Sequence, residues 1–167
     1  MDESKVLLVN LAKGRIGEDS SSLLGGLLVT TIGLAAFSRS DIPPSKRRDF
    51  FVYIDEFQNF MTLALANMLS EMRKYRVGFT VAHQYLNQLE PEIRHAVFGN
   101  SGSIISFRIG GEDAPYLARG FQDRFEEIDL MRLENYHVYL KLMIDGMPSK
   151  PFSARTLNPE SLGIGGI

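Results

Sequence analysis

The run Phe50–Ile54 (FFVYI) is apolar throughout and stops on two adjacent acids, Asp55 and Glu56. Carboxylates at the end of a buried strand suit the handling of a divalent cation and a water at a nucleoside triphosphate. Asp55 is the candidate Mg²⁺ ligand, directly or through water. Glu56 is the candidate for orienting and deprotonating the attacking water. Neighbouring strand residues point to opposite faces, so the chain must turn here for both acids to face one nucleotide. A second apolar run, Val77–Ala82 (VGFTVA), ends on His83-Gln84. The Gln84 amide offers both a donor and an acceptor, as a γ-phosphate sensor or a water-positioning group needs. The plain alternatives are a solvated acid pair at a strand end and a polar loop residue. His83 is the kind of lone histidine that more often makes a structural hydrogen bond than does catalysis.

Arg73, Lys74 and Arg76 form a basic cluster just before the second run. Three readings stand side by side: an arginine finger reaching a neighbouring subunit's nucleotide, contacts to DNA phosphates, and a solvated helix end where cations meet the dipole. Arg108, in the run Ser103–Ile109 (SIISFRI), is a second finger candidate. Lys46-Arg47-Arg48 reads as a solvated loop. No G-x-x-x-x-G-K-[ST] phosphate loop occurs in the sequence. The nearest glycine-rich stretch, Gly14–Asp19, lacks a following Lys-Ser/Thr and places Glu18 and Asp19 where phosphate would sit. The expectation is a fragment, or a chain with no phosphate cradle of its own. There is no Ser-His-Asp triad, no HExxH and no cluster of metal ligands.

The elements that must position these residues are legible as periodic runs. Lys5–Leu11 (KVLLVNL) reads as a strand covered on both faces. Acids and a serine at Glu18-Asp19-Ser20 precede a helical stretch, Ser21–Arg39. Asn59–Tyr75 reads as a helix, with Leu65, Met68, Leu69 and Met72 at helical spacing. A short helix is expected around Leu86–Phe98, and further helices at Glu112–Phe121 and Arg124–Arg132. Tyr136–Ile144 and Pro151–Leu157 read as a hairpin around Asp145-Gly146. Four strand–helix alternations predict an α/β fold, a largely parallel sheet with helices on both sides and right-handed crossovers. In such sheets polar site residues gather at the carboxyl ends of strands. Asp55-Glu56, His83-Gln84 and Arg108 all stand at such ends.

Bulk properties agree with an ordinary globular domain: 167 residues, 44% hydrophobic and 23% charged. The net charge of −2 argues against a strongly basic DNA-binding module. With no cysteine, disulfides, zinc–thiolate sites and thiol nucleophiles are excluded. The acidic N-terminus is not a signal peptide. The longest apolar stretch, Leu23–Phe37, holds 15 residues. A membrane span needs about 20, so it reads as a buried helix and no membrane segment is expected. Residues 159–167 read as a flexible tail.

Three blocks together carry a family resemblance: RRDFFVYIDEFQNF (Arg47–Phe60), ANMLSEMRKYRVGFTVAHQYLNQL (Ala66–Leu89) and GNSGSIISFRIGGEDAPYLAR (Gly99–Arg119). They resemble the TraG/TraD-type coupling ATPases of conjugation and type IV secretion, within the HerA–FtsK group of DNA-pumping ATPases. The opening KVLLVNLAKGRIGEDSSSLLGGLL is similar to the segment preceding Walker B in that group. The resemblance runs over about residues 5 to 120. It implies that residues 1–158 are the C-terminal part of a RecA-like ATPase domain with the Walker A portion absent. Asp55 and Glu56 would then be the Walker B pair, with Gln84 and Arg108 on matching strand ends and Arg73 or Arg108 acting in trans. It further implies ATP and Mg²⁺ as cofactors, a homo-hexameric ring in the parent protein, and single- or double-stranded DNA as the cargo. Relaxosome or secretion-system proteins, TraM recognition included, would be partners. The location implied is cytoplasmic, at the inner face of a bacterial membrane through parts of the parent protein.

Two other classes remain open at this point. One is a non-catalytic RecA-like module that docks a relaxosome or secretion-substrate protein. The missing phosphate loop favours it and the acid pair argues against it. The other is a metal-dependent nuclease, which needs a third carboxylate or a lysine beside Asp55 and Glu56. The sequence offers Glu112 and Asp113 for that role.

Overall fold

The computed structural model describes residues 1–3, 5–158 and 161. The chain divides into two compact units, Met1–Asn100 and Ser101–Ile167. The expected tail at 159–167 lies outside the described residues apart from Ser161.

In the first unit a short helix, α1 (Lys13–Ile16), leads through Gly17 into the long helix α2 (Glu18–Phe37). Gly17 has φ 84°, a conformation glycine adopts without a Cβ clash. Glu18 and Asp19 put negative charge on the first turn of α2, where the helix dipole favours it. One side of α2 buries Ser21, Gly25, Val29, Gly33 and Ala36. That stripe lets other side chains come close: a Cβ on Gly25 would lie 2.1 Å from the Phe60 ring, and one on Gly33 2.2 Å from the Met68 sulfur. On the remaining surface Leu23, Leu27 and Leu34 stay exposed. By length and composition alone, Glu18–Asp41 would be long and apolar enough to cross a membrane. The expectation of a buried helix therefore holds for one side of α2 only.

Two strands follow, β1 (Phe50–Ile54) and β2 (Val77–Val81), paired in parallel from Phe50↔Val77 to Ile54↔Val81. Between them lies helix α3 (Leu63–Met72), whose start is capped by the Thr62 hydroxyl accepting the Leu65 N–H at 3.3 Å. The helix expected over Asn59–Tyr75 is thus split: a helical turn at Phe57–Asn59, then α3, then a turn at Arg73–Tyr75. Helix α4 (Pro91–Asn100) packs against α3. Val52, Val77, Ala36 and Met72 form a core on one face of the strand pair. Phe51 and Tyr53 point to the other face and are 64% and 75% exposed. Helices therefore cover one face of this pair, where both had been expected to be covered.

The starts of β1 and β2 are tied by Arg39. Its buried guanidinium donates to the carbonyls of Arg48 (3.1 Å) and Tyr75 (2.9 Å) and to Asp2 Oδ1 (2.7 Å). Residues 5–11, expected as a buried strand, form none, and Val6 and Leu8 are 86% and 90% exposed. The run is held at its ends, by Asp2 on Arg39 and by Ser21 Oγ donating to the Leu11 carbonyl at 2.6 Å. Among the described residues no strand pairs with it, and Val6, Leu7, Leu8 and Val9 stay exposed.

The second unit holds β3 (Ile104–Ser106), α5 (Ala114–Gly120), α6 (Glu127–Met131), β4 (His137–Lys141), β5 (Met143–Ile144), β6 (Met147–Pro148) and β7 (Phe152–Arg155). β3, β4 and β7 make an antiparallel sheet in that order. The expected hairpin is present as the β4–β7 pair. At its tip β5 and β6 pair around Asp145 and Gly146, both at positive φ (49° and 80°). Phe121, Leu130 and Val138 are buried, and Phe125 stacks on Tyr139 with ring centroids 3.8 Å apart. The fourth expected strand thus belongs to an antiparallel sheet. Apolar periodicity marks where strands lie and leaves open which strand each pairs with.

Candidate active site

The parallel ladder does not stop at the last residue of β1. The Ala82 N–H donates to the Ile54 carbonyl (2.9 Å), and the Phe57 N–H donates to the Ala82 carbonyl (3.1 Å). Phe57 is fully buried and meets the His83 ring edge-on at 5.1 Å. These contacts pin the segment after β1 to the segment after β2, and Asp55 and Glu56 are the turn between them. His83 serves here as packing for Phe57.

Glu56 has φ 50° and ψ 44°, the left-handed region that a residue with a Cβ seldom enters. Holding it there costs on the order of 1 kcal/mol. Local hydrogen bonds offset this. Glu56 N–H donates to Asp55 Oδ1 at 3.0 Å, and the Glu56 carbonyl accepts from Asn59 Nδ2 at 2.9 Å and from the Asn59 N–H at 3.1 Å. The chain thus turns at Glu56, directly after Asp55.

The Glu56 carboxylate is gripped at both oxygens. Gln84 Nε2 donates to Oε1 at 2.6 Å, and Gln58 Nε2 donates to Oε2 at 2.5 Å. The three side chains form one wall of an open cleft of about 510 Å³. Asn59, Tyr85 and Gln88 extend that wall, and Lys13 and Glu18 also line the cleft. Lys13 Nζ and Glu18 Oε1 are 2.6 Å apart. The lysine's hydrogen bond and charge hold the Glu18 carboxyl below its ordinary range.

Of the residues singled out in the sequence, Glu56 and Gln84 are thus brought into direct contact. Asp55 is exposed on the same turn, next to the cleft lining in sequence. Arg73 lies at the opposite end of the strands, on the turn that precedes β2. Five strand residues separate that end from the site, a length of about 17 Å. Its two neighbours are engaged: Lys74 pairs with Glu71 at 2.5 Å, and Arg76 with Asp49 at 2.7 Å. Arg108 is exposed after β3 in the second unit.

Sequence reasoning missed Gln58 and Lys13. Gln58 had a signal, an amide two residues after the acid on a segment that had to turn. Lys13 carries no such signal, because it stands beside Gly14–Asp19, a stretch that lacks the pattern of a phosphate loop. The nuclease reading loses its support: among the described residues no three acids, histidines or cysteines converge on a metal position. A Mg²⁺ ion held by one carboxylate together with nucleotide phosphates needs no such cluster. An exposed Asp55 beside a carboxylate-and-amide wall fits the cation-and-water side of a nucleotide site. The phosphate-cradling side does not fit, because the sequence holds no loop of that type.

No family model matches the chain, and no curated protein matches it. Solved structures do. The chain is similar to VirB4 of Thermoanaerobacter pseudethanolicus, with a TM-score of 0.61 at 13% identity over 90% of this chain. It is also similar to the genome packaging NTPase B204 from Sulfolobus turreted icosahedral virus 2 in complex with AMPPCP, with a TM-score of 0.51 at 15% identity over 82% of this chain. It spans 41% and 63% of the length of those two chains. The fold is therefore a mixed α/β fold shared with VirB4 and with a genome packaging NTPase. That likeness agrees with the resemblance of the sequence to the coupling ATPases of the HerA–FtsK group.

Proposed function

We propose that this chain is the Walker B-bearing part of a RecA-like ATPase that moves DNA, of the type that serves secretion or conjugation. The observation that carries the proposal is the Glu56 carboxylate, held by Gln84 and Gln58 at the carboxyl ends of two parallel strands. In this reading Glu56 takes a proton from the attacking water. Gln84 leaves Glu56 to sense the γ-phosphate when ATP is present. Asp55 would hold Mg²⁺, which would supply charge neutralisation at the phosphates. The genome packaging NTPase bound to AMPPCP supports a nucleotide as the ligand. The phosphate loop belongs to sequence that this chain does not contain, and residues 1–158 are the C-terminal part of the motor domain.

The parent protein assembles as a homo-hexameric ring, and DNA is its cargo. A few basic residues repeated around a ring can grip phosphates even though each chain carries a net charge of −2. Arg73 is far from the cleft of its own chain and exposed, so it suits action in trans on a neighbour's nucleotide; Arg108, exposed in the second unit, is the other candidate. Relaxosome or secretion-system proteins are the expected partners, and the inner face of a bacterial membrane the expected location.

The test is Mg²⁺-dependent ATP hydrolysis by the chain and by the same chain extended upstream to include a phosphate loop. The extended form is expected to turn over ATP, and the chain alone to bind it weakly or not at all. Glu56→Gln in the extended form should abolish turnover while sparing nucleotide binding. Retained turnover in that variant removes Glu56 from the base role.

A further inference from the structure

We infer that Lys13 is a phosphate ligand of the cleft and that Glu18 holds it in reserve until a polyphosphate arrives. The inference rests on the nucleotide reading above and assigns to this chain a phosphate contact which its missing loop otherwise denies it.

Lys13 is the one cation among the described residues that line the cleft. The opposing groups are the carboxylates of Glu56 and Glu18 and a set of amides. A cleft with that balance repels a polyphosphate unless a cation is released toward it. Lys13 is placed to do this. Its backbone is fixed from both sides: the buried Ser21 donates to the Leu11 carbonyl at 2.6 Å, and the Gly17 N–H donates to the Lys13 carbonyl at 2.9 Å. The positive φ of Gly17 then turns the chain into α2, which begins at Glu18. The ammonium group is therefore anchored at the cleft by a short, constrained segment, while its side chain pairs with Glu18 at 2.6 Å.

That partner is easily exchanged. The Lys13 and Glu18 side chains are 42% and 72% exposed, and ion pairs open to water contribute little to stability. A triphosphate carries more negative charge than one carboxylate and offers several acceptor oxygens, so it outcompetes Glu18 for the ammonium. Released Glu18 faces water at the first turn of α2, where the helix dipole still favours its charge.

The experiment titrates the full chain with inorganic tripolyphosphate and Mg²⁺, followed by calorimetry and by ³¹P line width. It compares wild type with Lys13→Ala, Lys13→Arg and Glu18→Gln. Expected results are weak binding by wild type and at least a tenfold loss in Lys13→Ala. Lys13→Arg should keep most of the affinity. Glu18→Gln should tighten binding several-fold, because the competing carboxylate is gone. Circular dichroism of each variant checks that the exposed substitutions leave the fold intact. Equal binding by wild type and Lys13→Ala, or no binding by wild type, overturns the inference. The broader reading fails separately. If tripolyphosphate binds through Lys13 while the upstream-extended chain never hydrolyses ATP, the phosphate site stands and the motor falls. If the extended chain hydrolyses ATP through Glu56 and Lys13→Ala changes neither binding nor rate, the motor stands and Lys13 is only the partner of Glu18.

Discussion

At the scale of single residues, the site depends on how Glu56 is held. A general base needs its carboxylate aimed at the water, and a flexible glutamate would lose that aim. Here the backbone is locked in the left-handed region and the two carboxylate oxygens each accept one amide hydrogen bond. On the function proposed above Gln84 would leave to sense nucleotide, and Gln58 would then be the hold that stays. A hydrogen bond to a charged group is worth about 1.5 kcal/mol at the low end of its usual range. Gln58→Leu should therefore lower kcat of the ATP-competent protein about tenfold with KM nearly unchanged. Stopped-flow or coupled-assay kinetics would check it, and a rise in KM with intact kcat would instead assign Gln58 to substrate binding. The acid pair and Gln84 were legible from the sequence because an apolar run ending on polar residues states both the strand and its active end. Gln58 and Lys13 were not, since each acts through a turn or a loop that carries no periodicity.

At the scale of elements, the sequence specified existence better than pairing. The helix from Glu18, the strands at Phe50 and Val77 and the hairpin around Asp145-Gly146 lie where periodicity and turn chemistry place them. The run at residues 5–11 looked like a strand because Val6–Val9 is continuously apolar, yet it has no paired neighbour among the described residues. Strand identity is a local property, whereas pairing depends on what else is present. The α2 stripe makes a sharper test of packing. An added Cβ at Gly25 meets the Phe60 ring at 2.1 Å, and one at Gly33 meets the Met68 sulfur at 2.2 Å. An aromatic ring has few ways to yield, while a methionine tail can re-route. Gly25→Ala should then cost about 1–3 kcal/mol as overpacking, and Gly33→Ala clearly less. Chemical denaturation of both variants reads the difference, and an equal loss at both positions would mean that the helix spacing itself is what yields.

At the scale of the whole molecule, the uncovered face of the parallel strand pair ties fold to function. Parallel strands are normally buried on both faces, and a two-stranded sheet is marginal by itself. Yet Phe51 and Tyr53 are 64% and 75% exposed on the side away from the core. The same chain lacks a phosphate loop and spans 41% and 63% of the two solved chains it resembles in fold. On the function proposed above, one further layer would account for both, because elements that bring a phosphate loop to the carboxyl ends of β1 and β2 would also supply cover for Phe51 and Tyr53. An uncovered aromatic pair should make the chain self-associate at concentrations of about tens of micromolar. The double variant Phe51→Ser/Tyr53→Thr should shift that threshold upward, since threonine keeps strand propensity while removing the ring. Sedimentation velocity over a concentration series measures the threshold in both chains. A wild-type chain that stays monomeric throughout would show that this face is satisfied as it stands, and the further layer would then have to be sought elsewhere.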